Sequence, residues 1–288
     1  MNPRETPVDS TFIDVGDAVM VEPQWVIRNL LPTGLTFLAG PPKSYKSTVE
    51  LAMLLSVCGV GHEVLPDDLR EVPKPGVVLG LSGEASAGVL RHTAEHGFET
   101  EIPADGRFLV VDDPWRFRLD QPGDVEELLG WVTRLRPRIL FIDPLRNFHV
   151  LDENDSGGMV AMIQPLQRYA VLHDMAVIIV HHSRKIGGEK GEPRMARAED
   201  MRGSSALFGM ADATLTLSAK SRGVVHIDAI FKRAESWQRD VTLNMWHEGQ
   251  PMKPIANVAG FRRGAVLEDA YSTERRLTDV LDTLRRDK

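Results

Sequence analysis

The chain has 288 residues, 42% of them hydrophobic and 26% charged, with a formal net charge of -7 at pH 7. That balance is ordinary for a globular protein with a sizeable core, and it excludes a generally basic nucleic-acid coat, so any such contact must come from a local patch. The longest apolar run, "MAVIIV" at 175–180, is far short of the roughly 20 residues of a membrane span, the N-terminal stretch lacks an apolar leader, and a single cysteine, Cys58, excludes an internal disulfide, so a cytoplasmic protein with no membrane partner is expected.

Residues 1–22 read as a flexible acidic arm. The first strand, "LTFLA" at 35–39, runs into a glycine turn that opens a helical pattern over 46–58. A junction of this kind gathers unpaired N–H groups at the positive end of a helix dipole and makes an anion cradle. Its residues are Gly40, Pro41, Pro42, Lys43, Ser44, Tyr45, Lys46, Ser47 and Thr48. They follow the phosphate-loop pattern G-x-x-x-x-G-K-S/T, in which Lys46 reaches the β- and γ-phosphates and the Ser47 hydroxyl holds Mg²⁺. Tyr45 stands where the pattern has its second glycine, a position of positive φ at which a bulky residue costs about 1–3 kcal/mol. Its ring is expected either to strain the loop or to stack on the base or on a neighbouring subunit.

The next strand, "GVVLGLS" at 76–82, leads to Glu84, placed to polarise an attacking water, and a helix follows over 85–96. "RFLVVD" at 107–112 precedes a helix at 123–135. "RILFID" at 138–143 delivers Asp143 from a buried strand, the Walker B arrangement for a water on Mg²⁺. A helix over 156–173 opens on Asp155 or Ser156 and should kink at Pro165. "MAVIIVHH" at 175–182 ends in His181 and His182, which alternate across the sheet and so make no metal pair. In open α/β sheets ligands bind at the carboxyl ends of the strands, so these clusters should meet at one edge.

Beyond residue 212, "DATLTLSA", "GVVHIDAIFKRAE" and "VTLNMWHEG" follow with turn-length gaps and read as an antiparallel extension of the sheet. The C-terminal "STERRLTDVLDTLRRDK" carries one apolar helical stripe, begun by Ser272 or Thr273. It suits packing on the core, gripping a neighbour, or opening a winged-helix module. The expected division is an arm at 1–22, an ATPase domain at 23–250 and an extension at 251–288.

From "WVIRNLLPTGLTFLAGPPKSYKST" to the strands near 246, the chain resembles the RecA-fold ATPases of the RepA-type plasmid replicative helicase group, related to the hexameric DnaB-like helicases. "LFIDPLRNFHVLDENDSGGM", "VIIVHHSRK" and "RGSSAL", in that order, carry the likeness. The resemblance implies an α/β fold with a RecA-like P-loop core, a mainly parallel sheet flanked by helices and an antiparallel edge. It implies ATP and Mg²⁺ as ligands, with Lys46 and Ser47 on phosphate and metal, Glu84 as catalytic glutamate and Asp143 supporting the metal. His182 matches the sensor of the γ-phosphate that couples it to the DNA-binding loop. Lys232 and Arg233, in "DAIFKRAES", match the residues that reach a neighbour's nucleotide, which implies a site shared between subunits of a hexameric ring. In the loop "SRKIGGEKGEPRMARAEDMRGSSAL", Lys185, Lys190, Arg194, Arg197 and Arg202 match the contacts to single-stranded DNA, although four acidic residues dilute their charge and a plain surface loop is the alternative. The implied function is an ATP-hydrolysing ring acting on single-stranded DNA, of replicative helicase type. A nucleotide-binding assembly or regulatory protein, and a recombination accessory factor that coats DNA, are the other readings.

Overall fold

The computed structural model describes residues 23–60, 63–182 and 205–243. The N-terminal arm, the five loop cations from Lys185 to Arg202 and the C-terminal extension lie outside the described residues.

A short antiparallel ribbon, β1 (Trp25–Ile27) and β2 (Leu31–Pro32), leads into β3 (Gly34–Gly40) and helix α1 (Lys46–Val57). There follow β4 (Val78–Ser82), α2 (Ala87–Gly97), β5 (Phe108–Val110), α3 (Pro122–Leu135), β6 (Ile139–Asp143), α4 (Ser156–Leu172) and β7 (Ala176–His182). The short helix α5 (Ser205–Met210) precedes β8 (Ala213–Ser221), β9 (Val224–Phe231) and β10 (Trp237–Thr242). Eight strands form one sheet in the order β10-β9-β8-β3-β7-β6-β4-β5. The strands from β8 through β5 run parallel, β9 runs antiparallel to β8, and β10 runs antiparallel to β9.

The central strands have the composition this position demands. β3, β4 and β6 are buried along their whole length, because helices cover both faces of a parallel sheet and leave no strand face in water. β9 instead alternates half-buried and buried residues, with Val225, Ile227, Ala229 and Phe231 turned to the core. On one face, Val49, Met53 and Val57 of α1 pack on Leu38, Ile178 and Leu215. Leu51 and Leu55 of the same helix meet Ala94 of α2, so α1 is apolar nearly all round. On the other face, Met159, Ile163, Leu166 and Ala170 of α4 and Leu128 and Val132 of α3 cover Phe37, Ile142 and Ile179. Asp155 caps α4 by accepting from the N–H groups of Gly157 and Gly158, and the helix continues across Pro165.

The expected strand over 241–249 begins earlier: β10 is Trp237–Thr242, an edge strand whose polar residues Gln238, Arg239 and Asp240 are exposed. β8 also differs in part, since it runs parallel to β3 and only its partner β9 reverses.

At the edge where β3 begins, the Asp212 carboxylate accepts from the Leu35 N–H (3.0 Å), and its backbone donates to Leu35 O and accepts from Lys232 N. Gly34 is required here: its φ is +105°, and a Cβ would stand 2.4 Å from Asp212 Oδ2.

Candidate functional site

The phosphate loop leaves the opposite edge, where β3 ends. Gly40 has φ +155°, and a Cβ on it would lie 2.4 Å from the Leu217 carbonyl oxygen and 2.6 Å from Ser44 Oγ, so the close approach of β8 demands glycine. Two non-glycine residues of the loop are left-handed: Lys43 at φ 63° and Tyr45 at φ 68°. Each carries about 1–2 kcal/mol of backbone strain. Tyr45 is the N-cap of α1 without a side-chain cap bond, and its carbonyl accepts from Val49 N at 2.9 Å. The first N–H groups of a helix have no intrahelical acceptor and remain available to an anion. Lys46 is buried, and its ammonium donates to Gly40 O (3.0 Å) and Pro41 O (2.9 Å). Ser44 Oγ is buried with no hydrogen-bond partner among the described residues, and Ser47 is exposed at the second position of α1.

Two neighbouring strands bring the acids. Asp143 ends β6, in register with Ser82 of β4, and its carbonyl accepts from Gly83 N at 2.7 Å. The next residue is Glu84, exposed on the loop above. A third acid comes from α1: Glu50, one turn after Lys46 and 4% exposed, hydrogen-bonds the Asp143 carboxyl. Burial pushes Glu50 well above the usual carboxylate range, and the Asp143 charge pushes it further. Burial also lifts Asp143 to about 6, helped by Glu84, while the Glu50 bond and Lys46 pull it down. Both effects fit a protonated Glu50 donating to an ionised Asp143. Lys46 is lowered by burial against the opposing pull of Asp143 and Glu84.

Among the described residues no group of three or more acidic, histidine or cysteine side chains is placed to hold a metal ion by itself, so a hard divalent cation here would take its remaining oxygens from the phosphates and from water. The orphaned Ser44 hydroxyl beside free helix N–H groups suits an anion. The residues present therefore fit a magnesium polyphosphate, with Ser47 and Asp143 on the metal side and Lys46 on the phosphate side.

His182 ends β7 in register with Gly40, which places its backbone beside the start of the loop. His181 is buried with its ring edge-on to Phe37, centroids 6.4 Å apart. Lys232 and Arg233 are exposed just past the end of β9. Because Phe231 pairs with Ala213, and Ala213 with Thr36, they lie at the edge where β3 begins, not at its own chain's cradle.

Sequence reasoning missed two features. Glu50 had a readable signal, an acid in the apolar run "VELAMLL" four residues after the loop lysine. The partner of Tyr45 had none. Its hydroxyl accepts from Gly223 N at 2.9 Å, in the turn between β8 and β9, and its ring packs on the apolar core of the α1 face. The contact is thus to its own chain, where the sequence had suggested a base or a neighbouring subunit.

A family model described as AAA domain, AAA_25, matches residues 2–188. The DNA repair protein RadA of Haemophilus influenzae is 25% identical over 219 residues, which cover 74% of this chain and 41% of that protein. The chain therefore spans about two-fifths of the length of this relative. Among solved structures, the ATPase domain of G40P superposes with a TM-score of 0.53 at 15% identity, covering 73% of this chain and 81% of that one. The RadB recombinase gives 0.49 at 17% identity, covering 73% and 87%.

Proposed function

The chain belongs to the AAA_25 family of AAA domains and is a RecA-fold P-loop ATPase, and on that footing we propose that it binds MgATP at the β3–α1 loop, hydrolyses it, and acts as a motor on single-stranded DNA. The observation that carries this reading is the convergence of Lys46, Asp143 and Glu84, from three separate elements, at the carboxyl edge of the sheet. Bound Mg²⁺ would neutralise charge on the β- and γ-phosphates. Lys46 would leave the carbonyls of Gly40 and Pro41 for the phosphates, and the helix N–H groups would hold the same oxygens. Asp143, fixed by Glu50, would hold a metal-bound water. Glu84, exposed and above Asp143, would accept the proton of the attacking water. His182, beside Gly40, would report the γ-phosphate to the segment that follows β7. Lys232 and Arg233 would serve the site of an adjacent copy in a hexameric ring, and Lys185, Lys190, Arg194, Arg197 and Arg202 would contact the DNA backbone. On this proposal residues 23–250 form the ATPase domain, with an arm before and an extension after.

A second reading, a nucleotide-binding assembly protein with little turnover, draws on the left-handed Tyr45 in the loop. ATP titration separates the readings in order. Lys46→Ala should weaken binding of a fluorescent ATP analogue about 100-fold or more, by loss of the buried cation. Equal affinity in variant and parent would remove the nucleotide reading altogether. Stimulation of turnover by single-stranded DNA supports the motor, and its absence in an ATP-binding protein supports the assembly role.

A further inference from the structure

The β8–β9 hairpin overhangs the phosphate loop. β3 pairs with β8 only as far as Ala39 with Thr216, and Leu217 lies against Gly40. Beyond that point the hairpin continues on its own pairs, Ser218 with His226 and Ala219 with Val225. Its tip turns at Gly223, φ 74°, with Lys220, Ser221 and Arg222 exposed. The tip is tied to the loop by Tyr45, across 178 positions of sequence, through the hydroxyl that accepts from Gly223 N.

Tyr45 sits at the residue whose backbone closes the cradle. Any side chain other than glycine carries a penalty in the left-handed region, so glycine would be the easier residue if conformation were the only demand. What tyrosine adds is a ring packed on the core of the α1 face and a hydroxyl that reaches the hairpin. We propose that Tyr45 is a positioning residue for nucleotide binding: it fastens the β8–β9 hairpin to the phosphate loop, so that loop and hairpin take up the bound arrangement together. The cations Lys220 and Arg222 thereby travel with the rim of the cradle. The tether acts through the loop and not on the reacting atoms, so it belongs to affinity and leaves the chemical step alone. This proposal rests on the nucleotide-binding reading above.

The test uses the full chain, a non-hydrolysable ATP analogue with Mg²⁺, and hydrogen exchange of the backbone amides at 218–224. In the parent, the analogue should slow exchange in the hairpin. Tyr45→Phe keeps the ring and loses only the hydroxyl. It should speed hairpin exchange about fivefold without nucleotide and weaken analogue binding by a similar factor, the effect of one net hydrogen bond. KM for ATP should rise by that factor with kcat unchanged. Tyr45→Gly relieves the strain yet removes ring and hydroxyl, and should loosen the hairpin further. Parental hairpin exchange in both variants overturns the proposal, as does parental affinity in Tyr45→Phe. If the parent binds no analogue, the nucleotide reading fails by itself, and exchange in the nucleotide-free proteins still decides the tether.

Discussion

The two edges of the sheet are built from the same strands and do opposite things. Where β3 begins, polar groups close on one another: Asp212 accepts from Leu35 N and Lys232 N, donates to Leu35 O, and the neighbouring Gly34 N donates to Met175 O. Where β3 ends, Lys43 and Tyr45 are left-handed, the Ser44 hydroxyl lacks a partner among the described residues, and Lys46, Glu50 and Asp143 are buried together. A folded chain keeps strain and unsatisfied polarity only where the rest of the structure holds them in place. Strain and orphaned polarity do not by themselves separate the two, because Arg136 and Asp174 are left-handed and the Thr36 hydroxyl lacks a partner among the described residues where the strands begin. The edge where β3 ends, the working edge, is set apart from the quiet one by the ionisable groups buried together there, Lys46, Glu50 and Asp143.

The largest expected effect would join the two edges. If the quiet edge of one copy completes the working edge of another, Arg233→Ala should lower turnover about 10³–10⁵-fold, as loss of a trans cation does. Lys232→Ala is the companion test, and mixing either variant with Glu84→Gln subunits should restore activity. Parental rates for both at every protein concentration would show that the edges never meet. Next, Glu84→Gln should cut turnover by about 10²–10⁴ while the ATP analogue still binds, since only the base is removed. Hydrolysis at the parental rate would move the acid elsewhere.

Breaking the quiet edge should instead cost stability. Asp212→Ala leaves the buried Leu35 N–H without its side-chain acceptor and should lower unfolding free energy by about 1–3 kcal/mol, read by denaturant melts. Unchanged stability would mean that the edge is held by packing alone. The smallest effect is a pH dependence at the working edge. Asp143 is lifted to about 6 by burial and by Glu84, so the folded chain binds that proton more tightly than the unfolded chain. The Asp143 contribution to stability should therefore be lost as pH rises from the ordinary carboxylate range through about 6, and Glu50, raised by the same burial, should extend the fall to higher pH. Melting temperatures of metal-free parent and Asp143→Asn should diverge across that window. Their difference reports the Asp143–Glu50 pair, since Asp143 also raises Glu50, and separates the pair from His149, which burial lowers.

Much of this contrast was legible in the sequence. β3, β4, β6 and β7 are short apolar runs that fit only a sheet covered on both faces, and each delivers its polar residue at the carboxyl end. Lys46, Glu84 and Asp143 could be placed together on that basis alone. Glu50 was hidden for a different reason. Its spacing from Lys46 was visible, but which strand end the helix face meets depends on packing. The start of the third strand of the antiparallel edge was expected too late because "VTLNMW" is the more apolar run, whereas an edge strand can carry the exposed Gln238, Arg239 and Asp240. The Tyr45 hydroxyl bond was beyond reach, since no periodicity links residues so far apart. The positive φ at Tyr45, by contrast, followed from the glycine it replaces, and the structure has it.

The strand order also governs how the chain can be made. β3 carries the phosphate loop, yet both of its neighbours, β7 (Ala176–His182) and β8 (Ala213–Ser221), come from much later in the sequence. During synthesis the loop emerges long before either strand that will hold it, and non-local pairing of this kind is slow. A nascent chain halted before residue 176 has Lys46, Glu84 and Asp143 but no strand to set between β3 and β6. The arrangement delays assembly of the β3–α1 loop's surroundings until β7 and β8 have been made, and it leaves β3 without either neighbour until then.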